Sequence, residues 1–243
     1  MMQFENPPPP ALPPPGDSPG ISIVLPVFNV RKFLPRALDG LLRQTFSRFE
    51  ILGINDGSTD GSADLLRDCA ARDPRLRIFD QPNSGAGAAR NAGLAAARGE
   101  CVLFLDADDI FHSRMLETLW ARYEETRADV VIFAFRRFHN RTRQKYGPPA
   151  GLSIQAVPQP QAVFSARDIA PKLFQITTPS ACKLWRREFL REHGLSFQNL
   201  PTSNDLFFTY TGLAQARRIA ILNESLFLYR THTKGSLTHN RHR

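Results

Sequence analysis

The chain has 243 residues, 42% of them hydrophobic, and carries a net charge of +8. That is long enough to bury one large core, and no run of 18 or more apolar residues marks a membrane-spanning helix. Cys69, Cys101 and Cys182 are too few and too scattered for a zinc site or a disulfide framework. With no charged-then-apolar leader visible, a cytoplasmic protein is expected. A basic surface attracts polyanions. Its arginines gather in RRFHNRTRQK (136–145) and from Arg230 to Arg243, without an RNP sequence or paired zinc ligands. The reading is a solvated or membrane-facing surface and no nucleic-acid partner.

Residues 1–20 include PPPPALPPPGDSPG, which favours polyproline II and buries nothing, so a disordered tail is expected there. ISIVLPV (21–27) then reads as a buried strand and RKFLPRALDGLLRQ as a helix. FEILGI is a second strand, STDGSADLLRDCAAR a second helix, and RLRIF a third strand. GAARNAGLAAARG is an alanine-rich helix ended by glycine, and CVLFL a fourth strand. Strands alternating with helices predict a parallel sheet covered on both faces, with ligands at the carboxyl ends of the strands. Polar residues collect at those ends: Pro26-Val27-Phe28-Asn29, Asn55-Asp56-Gly57-Ser58, Asn83-Ser84-Gly85-Ala86-Gly87, and Asp106-Ala107-Asp108-Asp109.

The glycines of SGAGAARNAG follow the third strand rather than the first, which excludes the dinucleotide fingerprint. They still allow close backbone approach to a ligand, and the helix they open offers N–H groups to an anion. Arg90, one turn in, is placed to reach a phosphate or to hold Asp106. Asp56 reads either as an Asx turn or as an acceptor for a nucleobase N–H. In LFLDADDIF (103–111) three carboxylates fall in four positions. One reading is a solvated strand end, with Asp109 or Ser113 beginning the next helix. The other is a site for a hard cation that assists departure of a diphosphate, since Asp106 and Asp108 share a side in extended backbone.

PVFN, NDGSTDGS, QPNSGAGAARNAGLAAARG and FLDADD, in this order and spacing, resemble glycosyltransferase family 2. CKLWRREFLREHGLSF resembles that family's acceptor-side helix, and SNDLFFT its Glu-Asp segment. The resemblance implies an α/β GT-A fold, a Rossmann-like, mainly parallel sheet flanked by helices. Residues 21–111 would form the nucleotide-sugar half and 112–243 the acceptor half of one domain. It implies that Pro26, Phe28, Asp56, Asn83, Ser84, Gly85 and Arg90 line the nucleotide site, with Asp106 on ribose or sugar. Asp108 would ligate Mg2+ or Mn2+, helped by Asp109 and His232. Lys183 and Asn204 would contact substrate, and Asp205 would be the general base of an inverting displacement.

The donor implied is a nucleotide diphosphate sugar, a UDP-sugar being favoured, and the acceptor a carbohydrate or lipid-linked saccharide. The context implied is assembly of bacterial surface polysaccharide or lipopolysaccharide, with peripheral contact at the inner face of the membrane. Asn204 and Arg31 stand where the family commonly has glutamate, and relatives continue past the last residues here, which leaves truncation open. Two alternatives stay on the page: a non-catalytic nucleotide-sugar-binding protein, and a sugar nucleotidyltransferase. PVFNVRKF is not the glycine-rich loop of the latter.

Overall fold

Strand β1 (Ile21–Val27) sends Ile21, Ile23, Leu25 and Val27 into one hydrophobic layer and Val24 into another, the two-residue period of a strand buried on both faces. The computed structural model describes residues 18–150, 162–176 and 179–231. Strands β2 (Phe49–Asp56), β3 (Leu76–Gln81) and β4 (Cys101–Phe104) join β1 in parallel, in the order β3-β2-β1-β4. Helices α1 (Leu34–Leu42) and α2 (Ser62–Ala70) cover one face, and α3 (Gly85–Ala96) covers the other.

Beyond β4 come β5 (Ile110–Phe111), α4 (Met115–Thr126), β6 (Val130–His139), β7 (Lys145–Ala150), β8 (Lys183–Arg186), α5 (Arg187–Glu192), α6 (Leu206–Gln215) and β9 (Ile219–Thr231). They extend the same sheet as β4-β8-β6-β9-β5, with β7 on β6. Strand β8 runs antiparallel to both β4 and β6, whereas β6 and β9 run parallel. The sheet is therefore mixed, parallel through its first four strands, and its order reverses beside β1, where ligands of open α/β sheets bind.

Three expectations need correction. CKLWRREFLREHGLSF is helical only over Arg187–Glu192. Lys183–Arg186 is a strand, because Leu184 and Trp185 are buried on opposite faces of the sheet. The tail expected over residues 1–20 ends sooner. Residues 1–17 lie outside the described residues, but Gly20 donates to the Arg48 carbonyl, and the Pro19 and Gly20 carbonyls accept from Glu100 and Cys101. Neither Asp109 nor Ser113 starts the next helix, since Arg114 stands at the N-cap of α4.

Helix α3 lies close on β1 because Gly93 faces Val24; a Cβ there would run into both Val24 methyl groups. On the same side of the sheet, Phe197 stacks on Phe208 at 4.0 Å between ring centres, and Phe104 meets both rings edge-on. This cluster clamps the 195–205 segment and the start of α6 onto β4.

Candidate active site

Asp56 ends β2 and is almost wholly buried. Its Oδ1 accepts from Gln81 Nε2 (2.7 Å) and the Ser84 N–H (2.8 Å), and its Oδ2 accepts from the Gly85 N–H (2.9 Å). Two of the N–H groups at the start of α3, where a ligand anion was expected, are thus taken by a carboxylate of the chain itself. Gly85 sits at φ +87°, where a side chain would be strained, and so lets the helix begin above Asp56. Gly87 is likewise approached by the chain rather than by a ligand, since a Cβ there would strike the Gln198 carbonyl. Asp56 keeps one lone-pair site on Oδ2 for a further donor.

Pro26 lies in β1, and Phe28 just beyond it is 47% exposed. Asn83 and Ser84 are exposed across the β3–α3 loop. The loops after β1 and β2 are laced together: Asn29 Oδ1 accepts from the Thr59 N–H, and Ser62 Oγ from the Val30 N–H. Arg31, the residue in place of glutamate, is held through its backbone N–H by Asp60 at 2.9 Å. Sequence reading passed over these serine and aspartate clamps because each resembles ordinary turn chemistry.

Arg90 joins the two halves. Its Nη2 donates to Asp106 Oδ1 (2.7 Å), its Nη1 to Asn204 Oδ1 (2.8 Å), and its guanidinium lies over the Phe197 ring. The expected Arg90–Asp106 contact forms, with the second guanidinium edge spent on Asn204. Asp205 follows, at the N-cap of α6, yet its side chain makes no capping bond. Among the described residues its Oδ2 accepts a long 3.3 Å bond from the Ser180 N–H, and the residue is half-buried, the kind of lightly held carboxylate a general base requires. Lys183, expected at the substrate, is wholly buried. Its ammonium donates to the Pro179 carbonyl at 2.9 Å and so fixes the turn that presents Ser180 to Asp205.

Asp108 and Asp109 meet a different arginine. The Arg230 N–H donates to Asp109 Oδ1 at 2.8 Å, its Nε donates to the Asp108 carbonyl, and its Nη1 to Asn140 Oδ1 at 2.9 Å. Asp109 Oδ2 is buried with no hydrogen-bond partner among the described residues. Burial, then repulsion from Asp106, pushes the Asp108 carboxyl up to about 6. Burial, then the Asp108 and Asp106 charges, holds Asp109 well above the usual carboxylate range. Three carboxylates face two guanidiniums, which leaves the cluster short of positive charge.

Among the described residues, no three or more His, Cys, Asp or Glu side chains group as a ready set of metal ligands. His232 lies outside the described residues. The orphaned Asp109 oxygen and the all-oxygen donor set nevertheless fit a hard divalent cation that takes further oxygens from a bound diphosphate.

A glycosyl transferase family 2 profile matches residues 22–194. The uncharacterized glycosyltransferase EpsJ of Bacillus subtilis is 33% identical over 213 residues, 87% of this chain and 61% of EpsJ. Residues 1–349 of Staphylococcus aureus TarS, solved in complex with UDP-GlcNAc, superpose with a TM-score of 0.72 at 23% identity, over 90% of this chain and 60% of that one. The mannosyltransferase PcManGT of Pyrobaculum calidifontis, in complex with GDP-Man and Mn2+, gives 0.62 at 18% identity, over 96% and 63%. The chain thus spans about three fifths of the length of these relatives. The two structural likenesses bear out the expected α/β GT-A architecture, and among the described residues no helix is long and apolar enough to cross a membrane. With its profile match running from β1 to just past α5, the chain belongs to glycosyl transferase family 2.

Proposed function

We propose that the chain transfers a sugar from a nucleotide diphosphate sugar, a UDP-sugar in the favoured reading, to a hydroxyl of a carbohydrate or lipid-linked acceptor, with inversion. The observation that carries this is Arg90, which gathers Asp106 and Asn204, and with Asn204 the neighbouring Asp205, at the carboxyl end of β4. Asp56 receives the base N–H, with Pro26, Phe28, Asn83, Ser84 and Gly85 around it. Asp106, steadied by Arg90, accepts from ribose or sugar hydroxyls. Asp205 takes the acceptor proton as its oxygen attacks the anomeric carbon from the face opposite the leaving group.

Asp108, with Asp109 behind it, would hold Mg2+ or Mn2+. When bound, such a cation neutralises the diphosphate and makes it a better leaving group. Every other step is assigned to side chains of the chain. The UDP-GlcNAc, UDP and Mn2+ in the structural neighbours support these choices of donor and metal. The reading includes bacterial surface polysaccharide or lipopolysaccharide assembly at the inner face of the membrane, with the 112–243 half receiving the acceptor.

A thermal-shift series with UDP- and GDP-sugars, with and without Mn2+, tests the donor assignment. A shift that needs the metal and is lost in Asp106→Ala is expected. No shift with any nucleotide sugar would refute it.

A further inference from the structure

Arg230 also lines a cavity of about 280 Å3 to which the reaction assigns no task. The approach to α1 supplies Lys32 and its first turn Arg36, and the turn between β6 and β7 supplies Arg141 and Arg143. Arg230 completes the wall. None of these five cations forms an ion pair among the described residues, although twelve such pairs occur elsewhere in the fold. Phe33 and Phe138 lie 4.8 and 5.3 Å from the Arg230 guanidinium, and Lys32 lies 5.8 Å from the Phe33 ring. Arg230 is fixed between these rings and by its bonds to Asp108 and Asn140. Lys32, Arg36, Arg141 and Arg143 have exposed side chains, free to close on a ligand.

Arg230 also feels the Asp108 and Asp109 charges, but no carboxylate lines the cavity beside Lys32, Arg36, Arg141 and Arg143, and like charges converging on one concave site focus a positive potential there. A single carboxylate would occupy one guanidinium edge, whereas a phosphate presents oxygens to several donors at once. The volume suits one phosphorylated polyol or sugar unit rather than a length of polymer. The cavity also shares its Arg230 wall with Asp108, which puts it within one residue of the proposed leaving-group site.

We propose that this cavity binds a phosphate ester carried by the acceptor, so that the enzyme glycosylates a phosphorylated substrate. The assignment rests on the glycosyl-transfer reading above. The phosphate can come from a soluble phosphorylated carbohydrate or from a lipid headgroup, and the recognition chemistry is the same.

The test uses the full chain and an Arg36→Gln/Arg143→Gln double variant, both exposed positions whose loss spares the core. Each is titrated with UDP in Mn2+, with glycerol 3-phosphate against glycerol, and with phosphatidylcholine vesicles with and without phosphatidylglycerol. The wild type is expected to bind glycerol 3-phosphate but not glycerol, or to sediment only with the anionic vesicles. The first result assigns a soluble ester and the second a headgroup. The double variant should bind the same probe at least about tenfold more weakly while its UDP affinity is unchanged. UDP binding without any phosphate-ester or vesicle binding overturns this inference and leaves the transferase reading standing. Loss of UDP affinity in the double variant also overturns it, because the cations would then serve the donor. Failure of the wild type to bind UDP sinks the transferase reading itself.

Discussion

Replacing Asp108 by Asn should stabilise the metal-free protein at neutral pH. The Asp108 carboxyl titrates near 6 in the fold, because burial and then Asp106 oppose its charge, against an ordinary 3.8. A shift of about two units corresponds to about 3 kcal/mol between the two protonation states. For a carboxyl raised on folding, that contribution is fully present below the unfolded value and is lost as pH rises through the folded one. At pH 7.5 the ionised wild type has lost it, while the neutral Asn variant has no charge to bury. At pH 5 a carboxyl titrating near 6 recovers about 1 kcal/mol of it. Urea unfolding of both proteins in chelator should therefore show the variant ahead at pH 7.5, with the gap narrowing by about 1 kcal/mol at pH 5. Mn2+ should then raise the midpoint of the wild type and not of the variant. A gap independent of pH, or a wild type more stable than the variant at pH 7.5 in chelator, would refute the reasoning.

Asp205→Asn should lower kcat on the order of 10²–10⁴-fold while leaving UDP affinity unchanged, as separate turnover and calorimetric measurements would reveal. Two glycine substitutions should move stability in opposite directions. Gly93→Ala drives a methyl into Val24 and should cost about 1–3 kcal/mol in urea unfolding. Gly40→Ala, in α1 with its nearest neighbour 3.9 Å away, should add about 0.5–1 kcal/mol. Phe208→Ala empties the centre of the ring cluster on β4 and should cost about 3–5 kcal/mol, measurable as a lowered denaturation midpoint.

The β1–β4 core was legible because each strand is a short apolar run and each helix is set off by glycine or by turn residues. The carboxylates after β4 and Asp56 at the end of β2 were legible because each closes an apolar strand run, although the partners that hold them lie far off in sequence. Strand β8 was not, since KLWR runs directly into REFLRE and the two read as one helical stretch. Only the gap between β4 and β6, formed by distant residues, makes a strand of it. The Arg90–Asn204 contact spans 114 residues, and nothing local to SNDLFFT points to it. The RRFHNRTRQK run was read as surface, and Arg141 and Arg143 are indeed exposed. Their convergence with Lys32, Arg36 and Arg230 needs the β6–β7 turn to fold back beside α1.

If Asp56 receives the nucleobase as proposed, its clamp bears on which bases the pocket tolerates. With three donors already fixing the carboxylate, nothing is left to rotate when a base arrives, so little side-chain entropy remains to be lost. What remains is an acceptor with no hydrogen to give. Uracil and guanine bring a ring N–H to such a group. Cytosine presents a bare ring nitrogen at the same position and would set lone pair against lone pair. On the proposed reading, a residue that looked like turn chemistry would act as a filter at the donor site, built from the same contacts that begin α3.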